Sequence, residues 1–228
     1  MISLGITRDA LTDRAYEMLR TRIVEGHLAP DERLVLSRLS EELGVSHTPI
    51  REALNRLAIE RLVSVEPYRG FRVMPLIGLD GMRHLFEARL VIEQGALSRA
   101  IDHIDAATLE RLRQISDKLD GLASAPHLDI SAFNDFDADF HRSMVVASNN
   151  AFLLNAFDDL RVHVQIARHY QGRSVEEARQ AQAEHRSMLK ALQEGRGEAV
   201  LQECAIHITN VLTRLNQDQD RVASGGEW

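Results

Sequence analysis

One cysteine, Cys204, is all the thiol chemistry in 228 residues. An intramolecular disulfide framework is therefore excluded, and the composition fits a reducing compartment. Long apolar runs are missing as well. No stretch approaches the roughly 20 residues that cross a bilayer, and the opening MISLGITRDALTDRAYEMLR carries charges throughout, without a signal-peptide core. The chain reads as cytoplasmic with no membrane partner. A net positive charge is also lacking, since the formal balance is −7. Residues 1–75 hold 11 Arg and 11 acidic side chains, so the acidity belongs to the rest, with 16 basic and 23 acidic residues. A neutral first part has no general field with which to attract an anionic polymer and must rely on local arginines. What is present, at 44% hydrophobic residues, suffices for one large core or two smaller ones.

The most ordered pattern is LVLSRLSEELGVSHTPIREALNRL, from Leu34 to Leu57. Leu36, Leu39 and Leu43 share one face of a short helix, Gly44 supplies the positive φ that ends it, and Val45 fills the angle to a second helix. Ser46 reads as the N-cap of that helix, Pro49 sits harmlessly in its first turn, and Ile50, Ala53, Leu54 and Leu57 form its apolar stripe. The opposite side presents His47, Thr48, Arg51 and Asn55, donors of the kind that reach base edges in a major groove. This is the grammar of a helix-turn-helix. Ahead of it, Thr12 is expected to cap a helix carrying Ala15, Leu19 and Ile23. Beyond it, Leu62–Val65 and Phe71–Val73 flank the turn Glu66-Pro67-Tyr68-Arg69-Gly70 and predict a β-hairpin wing with Tyr68 and Arg69 at its tip.

GVSHTPIREALNRLAIERLVSVEPYRGFRV closely resembles the winged-helix signature of GntR-family transcriptional regulators over Leu11 to Val73. The resemblance implies a double-stranded DNA operator, with Arg38, Ser46, His47, Thr48, Arg51, Asn55 and Arg69 as contact candidates. His47 departs from the pattern, standing where the family most often has arginine. A neutral imidazole donates one hydrogen bond and an arginine a charged fork, so this position changes the contact chemistry.

The proline and glycines of MPLIGLDG, Met74 to Gly81, mark a boundary between a DNA-binding domain at 1–75 and a helical domain at 79–216. The overall expectation is a mainly α protein: a winged helix-turn-helix followed by an all-α antiparallel bundle. Six helices are predicted there, near Leu79–Ile104, Ala106–Leu122, Ile130–Ser148, Ala151–Tyr170, Val175–Gln193 and Glu198–Leu215. The polar, glycine-ended residues 217–228 are expected to be a disordered tail.

Three bundle helices place polar groups inside apolar stripes. The stripe of the third reads Phe133, Asp137, Phe140, His141, Met144, Ser148, with a carboxylate and an imidazole one turn apart. His185 lies at the centre of the fifth stripe and His207 at the centre of the last. A buried carboxylate with three imidazoles suits one divalent transition metal per chain, zinc, nickel or manganese, with open positions for a ligand oxygen. His163 and His169 are rivals, with His163 at the edge of a stripe made by Leu153, Phe157, Leu160, Val164 and Ala167. On the first bundle helix, Arg89 and Glu93 face inward, either as a structural ion pair or with Arg89 offering its fork to a carboxylate effector.

DADFH at Asp137 to His141, Asn150, Glu184-His185 and His207 resemble the FadR-type effector domain, the FCD fold, in its metal-binding subgroup and its shorter, six-helix form. The resemblance implies a regulator, a repressor first, that binds a palindromic operator as a homodimer and is released by a small organic acid at the metal. The alternatives are a metal sensor and a mononuclear metalloenzyme.

Overall fold

The computed structural model describes residues 8–169 and 174–223. The chain divides into two compact units, Met1–Leu76 and Ile77–Trp228.

In the first unit, α1 (Arg8–Val24), α2 (Leu36–Leu43) and α3 (His47–Ile59) accompany the strands β1 (Arg33–Leu34), β2 (Val63–Glu66) and β3 (Gly70–Val73). The strands form one antiparallel sheet in the order β1-β3-β2, with Phe71 opposite both Leu34 and Val65. β1 thus joins the hairpin as a third strand. α1 packs on α3 through fully buried Ala15 and Leu19. Thr12 is no cap: α1 begins four residues earlier, where Asp9 complements the helix dipole, and the Thr12 hydroxyl donates to Glu52 Oε2 at 3.0 Å. Gly44 ends α2 in the left-handed conformation, at φ 64 and ψ 29, and Val45 is buried behind it. Ser46 holds the extended N-cap backbone of α3, although its side chain makes no capping bond.

The second unit consists of α4 (Leu79–Ala100), a 3-10 turn at Ile101–His103, α5 (Ala106–Ser124), α6 (Ile130–Val146), α7 (Ala151–Leu160), α8 (Val162–His169), α9 (Val175–Gln193) and α10 (Gly197–Ala223). Short polar caps start these helices. Asp105 accepts from Thr108 N, Asn150 accepts from Phe152 N and Leu153 N, and Ser174 forms a reciprocal capping box with Glu177. α4 packs on α6, α7 and α10, while α5 packs on α6 and α9, and α9 runs beside α10. Their shared core includes Met82, Phe86, Leu112, Leu119, Phe133, Phe140, Met144, Met188 and Cys204. No helix among the described residues is long and apolar enough to cross a membrane.

Two expectations are corrected here. The described bundle has seven α-helices rather than six, because the helix expected over Ala151–Tyr170 is broken at Arg161, which takes φ 51 and ψ 35. The break resets the phase of the apolar stripe: Val162 and Ile166 are buried and Val164 is only half-buried. The last helix does not stop at Leu215 but continues to Ala223, so the expected disordered tail is helical over its first part. Asn216 to Ala223 contain no glycine or proline, and the helix meets no breaker before Gly225. The expected break at Gly172 lies outside the described residues, as does the end of the tail.

Candidate metal centre and nucleic-acid interface

Asp137 and His141 are one turn apart on the inner face of α6, and His185 of α9 and His207 of α10 are brought to the same point. One potential ligand atom from each lies within 4.8 Å of all the others. The three imidazoles are fully buried and Asp137 is 5% exposed. His141 Nε2 is 3.1 Å from His207 Nε2 and 3.3 Å from His185 Nε2, and His185 Nε2 is 3.3 Å from Asp137 Oδ1.

The outer partners decide the protonation of these rings. His141 Nδ1 is 2.7 Å from Glu93 Oε2, His207 Nδ1 is 2.8 Å from Glu184 Oε2, and His185 Nδ1 is 3.2 Å from Gln182 Oε1. Gln182 is oriented in turn by donating its amide nitrogen to Ser116 O and Oγ. Each partner oxygen accepts, so in neutral His141 and His207 the proton resides on Nδ1 and Nε2 keeps a bare lone pair, whereas His185 faces an acceptor oxygen from both nitrogens. Burial drives His141 and His207 down to about 4, against the pull of Glu93 and Glu184, and so keeps both rings neutral at pH 7. Burial alone would raise the Asp137 carboxyl, yet the surrounding histidines, His163 first, reverse this and hold it well below the usual carboxylate range. Burial likewise opposes charge on Glu93, but Arg89 and His141 outweigh it and keep Glu93 ionised.

The bare Nε2 atoms of His141 and His207, 3.1 Å apart, cannot hydrogen-bond to one another. They suit a cation, since ligand atoms at a bond length of about 2.1 Å lie about 3.0 Å apart at right angles and about 3.4 Å apart in a tetrahedron. The donor set fits a divalent transition metal in both spacing and chemistry.

Of the two roles considered from the sequence for Arg89, the ion pair with Glu93 is present. Arg89 is fully buried and donates Nε to Glu93 Oε1 at 2.6 Å, while its Nη1 and Nη2 make no hydrogen bond among the described residues. Sequence reasoning missed the outer partners. Glu93 is 48 positions from His141, and no local pattern pairs them. Glu184 had a signal: His207, Asn210 and Arg214 share one face of α10 and converge on its carboxylate, with Arg214 bidentate at 2.9 and 3.0 Å. His163 lies outside the ligand set, but its Nε2 is 3.3 Å from Asp137 Oδ2.

In the first unit, Pro49, Ile50, Ala53, Leu54 and Leu57 of α3 are buried, and Ser46, His47, Thr48, Arg51 and Asn55 are exposed. His47, Arg51 and the wing-tip residues Tyr68 and Arg69 line one groove of about 740 Å³ together with Arg33 and Val35 of the β1 region. Tyr68, at φ 63, is fully exposed. Arg51 and Arg69 make no ion pair among the described residues, and Arg33 adds a third cation that sequence reasoning had not singled out. Arg38 is different: it is exposed but paired, with Nη2 2.7 Å from Glu32 and Nε 3.0 Å from Glu42.

Residues 84–210 match the FCD domain, and residues 11–73 match the gntR family of bacterial regulatory proteins. The chain belongs to the FCD family. It is a gntR-type transcriptional regulator with an FCD effector domain, and the proteins it resembles are regulators rather than enzymes. It is 27% identical over 212 residues to the HTH-type transcriptional regulator BphR of Paraburkholderia xenovorans, covering 91% of this chain and 86% of that protein. To the HTH-type transcriptional repressor GlaR of Escherichia coli it is 29% identical over 143 residues, 61% of this chain and 64% of GlaR. Its fold is shared with E. coli McbR, at a TM-score of 0.73 and 24% identity over 96% of this chain and 100% of that one.

Proposed function

We propose that this FCD-family regulator is a repressor that binds a palindromic operator as a homodimer and is released by a small carboxylate bound beside a metal. The observation that carries the reading is the convergence of three buried imidazole nitrogens and one carboxylate, with each Nδ1 backed by an acceptor oxygen. Asp137, His141, His185 and His207 would hold one zinc, nickel or manganese ion per chain. When bound, that ion supplies a Lewis-acid centre for an oxygen ligand. Ligands this buried and this well oriented favour a retained metal over a metal that is itself the signal.

Arg89 supplies the second half of the effector site. Its two terminal nitrogens are buried without hydrogen-bond partners among the described residues, and a planar carboxylate satisfies such a fork in two parallel bonds. One carboxylate ligand and three neutral imidazoles leave a divalent site net positive, which also favours an anion. In the first unit, His47, Thr48, Arg51 and Asn55 read base edges and Arg69 holds the wing, with Ser46 and Arg38 towards the backbone. Arg38 must exchange its carboxylates for phosphate. Similarity to GlaR, described as a repressor, supports the sign of regulation.

Elemental analysis of the purified protein and of His207→Ala tests the centre, with about one ion per chain expected in the first and a marked loss in the second. Equal metal content in both, or none in either, refutes it. A carboxylate panel scored by thermal shift and operator release then tests the effector. Acids that stabilise an Asp137→Ala, His185→Ala double variant as well as wild type would show that the cluster is not their anchor.

A further inference from the structure

The structure assigns α8 a role as the element that carries the state of the buried cluster to the chain entering from the DNA-binding unit. We infer this from two imidazoles on one short helix, and it rests on the metal reading above. α8 has 8 residues and is set off from α7 by Arg161 in the left-handed region, a conformation side chains rarely adopt. Its orientation is therefore independent of the axis of α7. Val162 and Ile166, each 2% exposed, root it in the core.

At one end of α8, His163 Nε2 lies 3.3 Å from Asp137 Oδ2, while the other carboxylate oxygen, Oδ1, faces His185. His163 Nε2 is buried and makes no aligned hydrogen bond among the described residues. The contact is thus close but poorly aligned, and it changes in strength when the charge on Asp137 is shared with a cation. At the other end, His169 Nδ1 lies 2.7 Å from the carbonyl oxygen of Gln165, and Nε2 lies 2.9 Å from that of Ile77. Carbonyl oxygens only accept, so a neutral ring donates to one of the two and the imidazolium to both. Ile77 is the first residue of the second unit. It leads through Gly78 into α4, where Met82 N closes the first turn on Gly78 O at 2.9 Å, and α4 carries Arg89 and Glu93. A shift of α8 in answer to the cluster thereby moves the anchor of the residue on which the DNA-binding unit is directly tethered. This gives the cluster and the tether a shared element through which coupling between the two sites can run.

Hydrogen exchange on the full chain, zinc-loaded against chelator-stripped, tests this with zinc chloride alone as the probe. In wild type, zinc is expected to slow exchange around residues 137–144 and 185–207 and also at 77–82, the last by about 5–150-fold, the range of ordinary site coupling. His169→Phe keeps a ring and removes both nitrogens, so it is expected to retain protection at the cluster and lose it at 77–82. His169→Gln places an amide nitrogen near the Nε2 position and is expected to retain both. His163→Phe breaks the opposite end without removing a ligand and is expected to behave as His169→Phe does, which covers the case that the latter does not fold. Undiminished protection at 77–82 in either folded Phe variant overturns the role of α8 while leaving the metal reading intact. No zinc protection at the cluster in wild type overturns both.

Discussion

Glu93→Gln is the most informative single change in the bundle. The side chain is 1% exposed, and its two oxygens are divided between Arg89 Nε at 2.6 Å and His141 Nδ1 at 2.7 Å. Glutamine preserves the shape and one acceptor but removes the charge, leaving a fully buried guanidinium without its nearest counter-ion. Breaking a buried pair in this way costs about 3–5 kcal/mol, a large share of a folding stability of about 5–15 kcal/mol. Removing both charges should cost much less than the sum, so a cycle with Arg89→Met is expected to show at least about 2 kcal/mol of coupling. Urea unfolding of chelator-stripped protein, followed by far-UV circular dichroism, measures it. The same variant loses the anion that orients His141, and zinc affinity is expected to fall about 10–100-fold. Additive stability effects, within about 0.5 kcal/mol, would refute the ion-pair argument, and unchanged zinc affinity would refute the orienting role of Glu93.

Arg51→Ala is expected to cost about 1–3 kcal/mol of operator discrimination while leaving the fold intact; unaltered base preference in a titration would put the reading face elsewhere. Stability of the metal-free protein should depend on pH through His141 and His207, each at about 4 when folded against about 6.5 when unfolded. Between those values the unfolded chain binds more protons, so stability is full above about pH 6.5 and falls towards pH 4, with a ceiling of about 3 kcal/mol per histidine. A urea midpoint that is equal at pH 7.5 and pH 5 would contradict this. Asn150→Ala removes the acceptor that caps α7 and should cost about 1 kcal/mol in the same unfolding assay, with no loss of metal; no change in stability would mean that water replaces the cap.

Local patterns made the helix-turn-helix legible, because Gly44, Pro49 and the stripe from Ile50 to Leu57 are short-range signals that need no partner to be interpreted. The four candidate ligands were legible for a related reason: Asp137 and His141 share a face by spacing, and His185 and His207 each interrupt an otherwise apolar stripe. Arg161 carried no such signal. Arginine is an ordinary helix former, and only packing around it imposes the left-handed turn that splits α7 from α8. That turn in turn decides that His163 meets Asp137, which a continuous helix would have kept at the edge of the stripe. Composition and periodicity therefore determined most element types, the inward faces and the candidate ligand residues, since each follows from spacing along one helix. Only the tertiary structure decided which oxygen stands behind each imidazole, that Arg38 is held by Glu32 and Glu42, and that Arg89 keeps two buried nitrogens unpaired among the described residues. These depend on side chains from different elements meeting at about 3 Å, a distance that no one-dimensional pattern encodes.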